Sequence, residues 1–589
     1  MVKFASSRNL RLTFFLLFFL LNAFTNACTA KTPSPPPISR PEILSVSANR
    51  AEVPRYELLE LTLNVQVEAE SYLDSRQAAL DAVFSDPNGR EWKAPGFWES
   101  GAVWKVRFTP SVEGEWQYRA TMRTKDTESK AATGRFSVTP SKHHGWLQVG
   151  SWVRADYSPR YLVYHDGTPF YGLGHCDAFT VMSYGYDEQK GFALFDRMAA
   201  HGENLLVYWP IFSNPFFNQS PDHYSTPDLK LIDLVVEDAA KKGIFLAFTI
   251  WDHPELRDKT HPWGDGLWET QNGFRTLGPV SNFFTDGEMW AWQENLYRYL
   301  IARWGYSPAI GMWQIVSEIE GTNAGLYRDD WHEKVNAYFV THDPYRHPTT
   351  ASMAGDQWWP QGYAVTDLPQ VHSYASGDEP IGIGPRIAGW TQKMWKAQNK
   401  PNWVGEFGSS DENNYPELFH NALWAALASG AALTPMEWND GNQWSTMSEE
   451  MLRHMKILGQ VVSDLPLALL NPQPLALSVS GKEGKLMGWG LALTPLPEVG
   501  EQSRVRAFFW IQHVSALGKP IKAVRQSVVS LSGVTVQIKN FPAGRYLVRP
   551  FDTWQGKYLP GFEATASEDT LTITLPAFER DIAVKIEQR

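Results

Sequence analysis

Ile310-Gly-Met-Trp-Gln-Ile-Val316 is a short, nearly unbroken apolar run, and Ser317 and Glu318 follow it directly. A strand with one wet face alternates polar and apolar residues. A run apolar on both faces is a parallel strand covered by helices. Similar runs lie on either side: Phe170–Gly174, Asn204–Trp209 and Ile244–Ile250 before it, then Thr349–Met353, Gln370–Ser373, Asn402–Glu406 and Ala431–Met436. Helical spacing separates several of them, with Phe192, Phe195 and Ala199 on one face, then Ile232, Val235, Val236 and Ala239, then Trp292, Leu296, Tyr299 and Leu300, and later the segment Leu418–Ala428. Eight β/α units predict a closed (β/α)8 TIM barrel over residues 145–465.

Outward from the barrel the period changes to two. Leu61, Leu63, Val65 and Val67 alternate with polar residues, as do Trp104, Val106 and Phe108, with turns at Asp86-Pro-Asn-Gly89 and Glu113-Gly114. Residues 42–140 therefore read as an N-terminal β-sandwich of immunoglobulin type. Val534, Val536 and Ile538, then Leu571, Ile573 and Leu575, then Ile582, Val584 and Ile586 repeat the pattern, so residues 467–589 read as a C-terminal β-sandwich. The expected architecture is multidomain: a central TIM barrel with a β-sandwich on each side.

Residues 1–30 have the layout of a secretory signal peptide: Lys3, Arg8 and Arg11, then the apolar run Leu12–Leu21. Thr25-Asn26-Ala27-Cys28 offers two readings, lipidation of Cys28 with membrane attachment or plain cleavage near Ala27 or Ala30. A Pro-rich linker occupies 31–41. The protein is expected to be exported, as a periplasmic protein, an outer-membrane lipoprotein or a secreted one. With Cys28 removed or acylated, Cys176 has no partner for an intramolecular disulfide. The net charge of −11 has no basic run in the mature body and argues against a nucleic-acid partner. The 26 tryptophans supply flat faces suited to sugar rings, although many must fill cores.

Side chains at the C-terminal ends of barrel strands point into the active-site mouth. The residues there are His175 and Asp177, Tyr208 and Trp209, Trp251, Asp252 and His253, then Ser317, Glu318 and Glu320, then His372 and Tyr374, then Glu406, and last Glu437, Trp438, Asn439 and Asp440. Carboxylates, histidines and aromatics on one rim suit glycosidic cleavage, in which one carboxylic acid protonates the leaving oxygen and an opposing carboxylate attacks or activates water. His175 and His253 lack the spacing of a helical zinc pair, and neither a Gly-x-Ser-x-Gly elbow nor a phosphate loop occurs. No metal or cofactor is expected.

Trp313-Gln-Ile-Val-Ser-Glu318 resembles the fourth-strand acid/base motif of clan A glycoside hydrolases, and Trp403-Val-Gly-Glu406-Phe-Gly408 resembles their seventh-strand nucleophile motif. His372-Ser-Tyr374 is similar to their sixth-strand His-x-Tyr, and His342-Asp-Pro-Tyr-Arg-His-Pro348 to the segment before strand five in cellulase-like and mannanase-like members. The resemblance covers roughly residues 165–460. It implies a retaining glycosidase with Glu318 as acid/base, its pKa raised by its neighbour, and Glu406 as an ionised nucleophile held by Tyr374 and His372. His175, Asp177, Trp209, Trp251, Ser317, His372, Tyr374, Glu437 and Trp438 are the expected substrate contacts. Two departures mark a divergent branch: Ser317 stands where the family has Asn, and the second strand lacks the family's Arg. Two other functions remain open, an inactive glycan-binding surface lipoprotein and a polysaccharide lyase, the latter lacking a basic cluster at the strand ends.

Overall fold

A computed structural model describes residues 40–176, 181, 185–210, 215–375, 379–409, 415–438, 447–481, 485–497 and 503–589. Cys28, the leader, nearly all of the Pro-rich linker, Asp177, Asn439 and Asp440 lie outside them.

Seven parallel strands pair in chain order: Gly174–Cys176, Leu205–Tyr208, Phe245–Asp252, Ile310–Ser317, Thr349–Ala351, Leu368–Ala375 and Trp403–Ser409. All eight residues of the third and all eight of the fourth are buried, as their apolar runs require. Closure comes from Ala432–Trp438, which makes two isolated parallel bridges instead of a continuous strand: Leu433 to Gly172 and Glu437 to Phe407. The Met436 N–H donates to Val404 O at 3.0 Å and the Cys176 N–H to Glu437 O at 3.1 Å, so both edges of the sheet are occupied. A helix follows each strand: Ala193–Ala200, Thr226–Lys242, Gly287–Trp304, Arg328–His342, Pro360–Val365, Ile383–Ala397, Pro416–Ser429 and Glu449–Val462.

The first strand departs from the expected Phe170–Gly174. Pro169–Phe170 instead pairs antiparallel with Leu162–Tyr164 in a small three-stranded sheet. Phe170 meets Phe245, the first residue of the third strand, edge-on at 5.1 Å. It covers the end of the barrel opposite the mouth.

Before the barrel, a four-stranded and a five-stranded sheet share one apolar core, with Phe84 of one stacked on Phe108 of the other at 4.0 Å. After it, the strands form a single ten-stranded sheet. That sheet curls on itself: a Cβ on Gly488 would meet Ile511 from one stretch and Val479 and Leu477 from another. Arg303, 2 % exposed, ties the barrel to the N-terminal sheets through Glu99 (2.8 Å), and Asp233, its partner within the barrel (2.6 Å), also takes Arg107 of those sheets at 3.0 Å. On the other side His420 pairs with Asp581 of the C-terminal sheet at 3.1 Å.

Candidate active site

The sixth and seventh strands set His372 beside Glu406 in register. Alternation along the sixth strand brings Tyr374 to the same face as His372. The Tyr374 hydroxyl donates to Glu406 Oε2 at 2.6 Å, and His372 Nδ1 is 3.1 Å from the same oxygen. The same Nδ1 is 2.7 Å from Glu318 Oε1. Glu318 reaches this position because the chain leaves the fourth strand through a left-handed residue: its φ is 56° and ψ 61°. Its N–H donates to Ser352 Oγ at 3.0 Å, which anchors the turn to the fifth strand.

Burial alone would lower the pKa of His372, but the charge of Glu406 and the hydrogen bonds to Glu318 and Glu406 outweigh it and raise it to about 10. When both glutamates are ionised the ring favours its charged form, and its Nδ1 is shared between the two carboxyl groups. One oxygen of each glutamate and His372 Nδ1 all lie within 4.8 Å of one another, a spacing compatible with a metal ion. The N···O distances of 2.7 and 3.1 Å are those of hydrogen bonds that fill this space.

His253, just past the third strand, brings Nε2 to 3.4 Å from Glu318 Oε2. Arg257 Nη1 contacts His253 Nδ1, so Nδ1 accepts and Nε2 carries the proton. Burial, with Arg257 next, holds the pKa of His253 well below the usual histidine value, and the ring is neutral. The glycine of Gly405-Glu406 also has a physical cause: a Cβ there would lie 1.4 Å from Oε1 of Gln370, whose amide is held on the neighbouring sixth strand as its Nε2 donates to Thr350 Oγ1 of the fifth at 3.0 Å.

The other expected contacts divide. Trp209 and Trp438 meet edge to face at 5.5 Å, at the ends of the second and closing strands. Glu437 is fully buried on the closing strand, and Ser317 is 2 % exposed immediately before Glu318. Trp251 is not at the mouth. It is fully buried among Phe217, Phe274 and Phe283 and donates to Tyr297 Oη at 3.0 Å, because its strand position turns the ring into the helix layer. His175 also stays apart from the cluster, its Nδ1 paired with buried Glu203 at 2.9 Å while the next residue, Cys176, turns Sγ toward Gly405 O. Glu320 is held by other partners: its Oε1 accepts from Ala354 N (2.5 Å) and Gln357 Nε2 (2.7 Å), and burial, with the charge of Glu318, raises its pKa to about 7. Sequence reading placed His253 on the rim without a role; Arg257 and Glu203 carried no signal, since neither lies at a strand end.

A family model described as a domain of unknown function, DUF5060, matches residues 52–123, within the N-terminal sheets. No curated protein matches the sequence. The crystal structure of a candidate glycoside hydrolase from Bacteroides vulgatus ATCC 8482 is similar over 92 % of this chain and 100 % of its own, at 15 % identity and a TM-score of 0.63. A family 39 glycoside hydrolase from Bacteroides cellulosilyticus WH2 (10 % identity, 92 % and 100 % covered, TM-score 0.43) is similar more loosely. So is an endo-1,4-beta-mannanase from Rhizomucor miehei (14 % identity, 52 % and 98 % covered, TM-score 0.40). The first likeness is one of fold and extends through the flanking sheets. The resemblance to clan A glycoside hydrolases read from the motifs holds at the level of the fold.

Proposed function

We propose that this chain is an exported glycoside hydrolase that cleaves glycosidic bonds of a polysaccharide or oligosaccharide with retention of configuration. Glu406 is the nucleophile and Glu318 the acid/base. The observation that carries this reading is the pair of carboxylates at the ends of the fourth and seventh strands, with oxygens within 4.8 Å of one another around a shared histidine. Retaining enzymes hold their two carboxyl groups closer together, about 5–5.5 Å, than inverting ones, roughly 6.5–9.5 Å, and the close approach of one oxygen from each glutamate supports the retaining reading. In the first step a Glu406 oxygen bonds to the anomeric carbon, the glycosidic bond breaks, and the leaving oxygen takes the Glu318 proton. In the second, Glu318 takes a proton from water as that water attacks the anomeric carbon and frees Glu406. The negative charge moves from Glu406 to Glu318 between the steps, and the His372 N–H is within reach of both. Tyr374 orients the nucleophile. The leader-like first 30 residues support export, with Cys28 as the site of acylation, and the flanking sheets read as β-sandwiches that brace the barrel.

Glu406→Ala and Glu318→Ala should fold normally and lose activity on any polysaccharide that the wild type cleaves. Proton NMR of the first product should show the anomeric configuration of the substrate. Near-normal turnover by either variant, or an inverted first product, would count against the assignment. Binding across a glycan panel with no release of reducing ends would favour an inactive glycan-capturing lipoprotein instead.

A further inference from the structure

We infer that Trp263 is the stacking platform for the departing sugar, a role that rests on the hydrolase reading above. Trp263 lies in the long loop after the third strand, which has no sequence period. Its side chain is 41 % exposed, whereas most tryptophans of the barrel are buried. An exposed indole is normally free to move, but this one is held from several sides. Gly321, three residues past Glu318, lies so close that a Cβ there would come within 2.5 Å of the Trp263 ring. The His253 ring meets the indole edge to face at 5.3 Å. The Arg257 guanidinium, bonded to Gly264 O and Gly321 O, lies 5.8 Å from the ring centroid.

The order of contacts gives the ring its place in the reaction. From the nucleophile outward the groups run Glu406, His372, Glu318, His253, Trp263, each touching the next. His372 Nδ1 holds Glu318 Oε1 together with Glu406 Oε2, and His253 Nε2 holds the other Glu318 oxygen, Oε2. We take this order of contacts to put Trp263 on the side of the acid/base away from the nucleophile. The sugar whose anomeric carbon bonds to Glu406 must lie over that residue, and the glycosidic oxygen must lie within reach of Glu318. The leaving sugar then extends beyond Glu318, where a rigid, partly open aromatic face meets the apolar C–H face of a pyranose.

Two substrates of the wild-type enzyme separate this role from a structural one. The first is the shortest oligosaccharide still hydrolysed, taken from a polysaccharide that the enzyme degrades; the second is the glycosyl fluoride of the same sugar, whose leaving group cannot stack. For Trp263→Ala, kcat/KM on the oligosaccharide should fall about tenfold while that on the fluoride changes by less than about twofold. Trp263→Phe, which keeps a ring, should recover most of the loss. Equal losses on both substrates would mean that the ring only supports the catalytic pair, and no loss on either would mean that it touches no substrate; each overturns the inference. A wild-type enzyme that cleaves no glycan overturns the hydrolase reading itself and this inference with it.

Discussion

Tyr374 tests how much of the site depends on one hydroxyl. Its 2.6 Å bond ends on Glu406 Oε2, which His372 also contacts, so Tyr374→Phe removes one of two donors and leaves the fold unchanged. Losing a hydrogen bond to a charged group costs about 1.5–3 kcal/mol, which predicts a fall of roughly 10- to 100-fold in turnover with an unchanged melting temperature. Steady-state kinetics and thermal unfolding of the same preparation check both halves. Glu318 raises a different matter. A non-glycine residue at φ 56° carries about 1–2 kcal/mol of backbone strain. The sequence announced the identity of this residue through the apolar run before it, but not the left-handed turn that aims it. That turn depends on Ser352, a partner 34 positions away.

At the scale of elements, strands three and four were legible because burial on both faces leaves a continuous apolar signature, whereas the seventh was read from its motif Trp403-Val-Gly-Glu406-Phe-Gly408. The first strand was misplaced by several residues because Phe170 is just as apolar while serving the small sheet beneath the barrel. The loop from Asp252 to Asp286 stayed opaque for the opposite reason. It consists of short helical turns, His253–Leu256, Trp268–Gln271, Gly273–Leu277 and Val280–Phe283, none long enough to show a period. His253 and Trp263 are placed by that loop. Gly405 was visible in the motif, but its reason was not, since Gln370 comes from another strand. Gly405→Ala must push the Gln370 amide aside or shift the seventh strand. Overpacking of this kind costs about 1–3 kcal/mol, so the variant should melt several degrees lower and lose activity. A fully active variant with unchanged melting would show that the Gln370 side chain has other room.

At the scale of the whole molecule, buried histidines set the response to pH. Burial lowers the pKa of His454 to about 2, of His332 to about 3 and of His165 to about 4. The unfolded chain takes up protons below about pH 6.5 that the folded chain refuses, so stability is lost as pH falls from there. Each such histidine contributes up to about 1.4 kcal/mol per pH unit. His372 has the opposite sign: with its pKa raised to about 10, its contribution is complete below about 6.5 and is lost as pH rises toward 10. Unfolding midpoints in denaturant should therefore peak near neutrality and decline on both sides; a midpoint that held level from pH 7 down to 5 would contradict the neutral buried rings. The interface with the N-terminal sheets has a further consequence. Asp343, just before the fifth strand, accepts from Trp313 of the fourth strand at 2.9 Å, and two residues later the Tyr345 hydroxyl accepts from the Thr109 N–H at 2.7 Å within the N-terminal core. A handful of residues thus joins the fourth strand to the preceding unit, and Arg303 would lose its Glu99 partner if that unit were cut away. The barrel is not a cassette to be excised and grafted elsewhere; modular exchange would have to carry the N-terminal sheets with it.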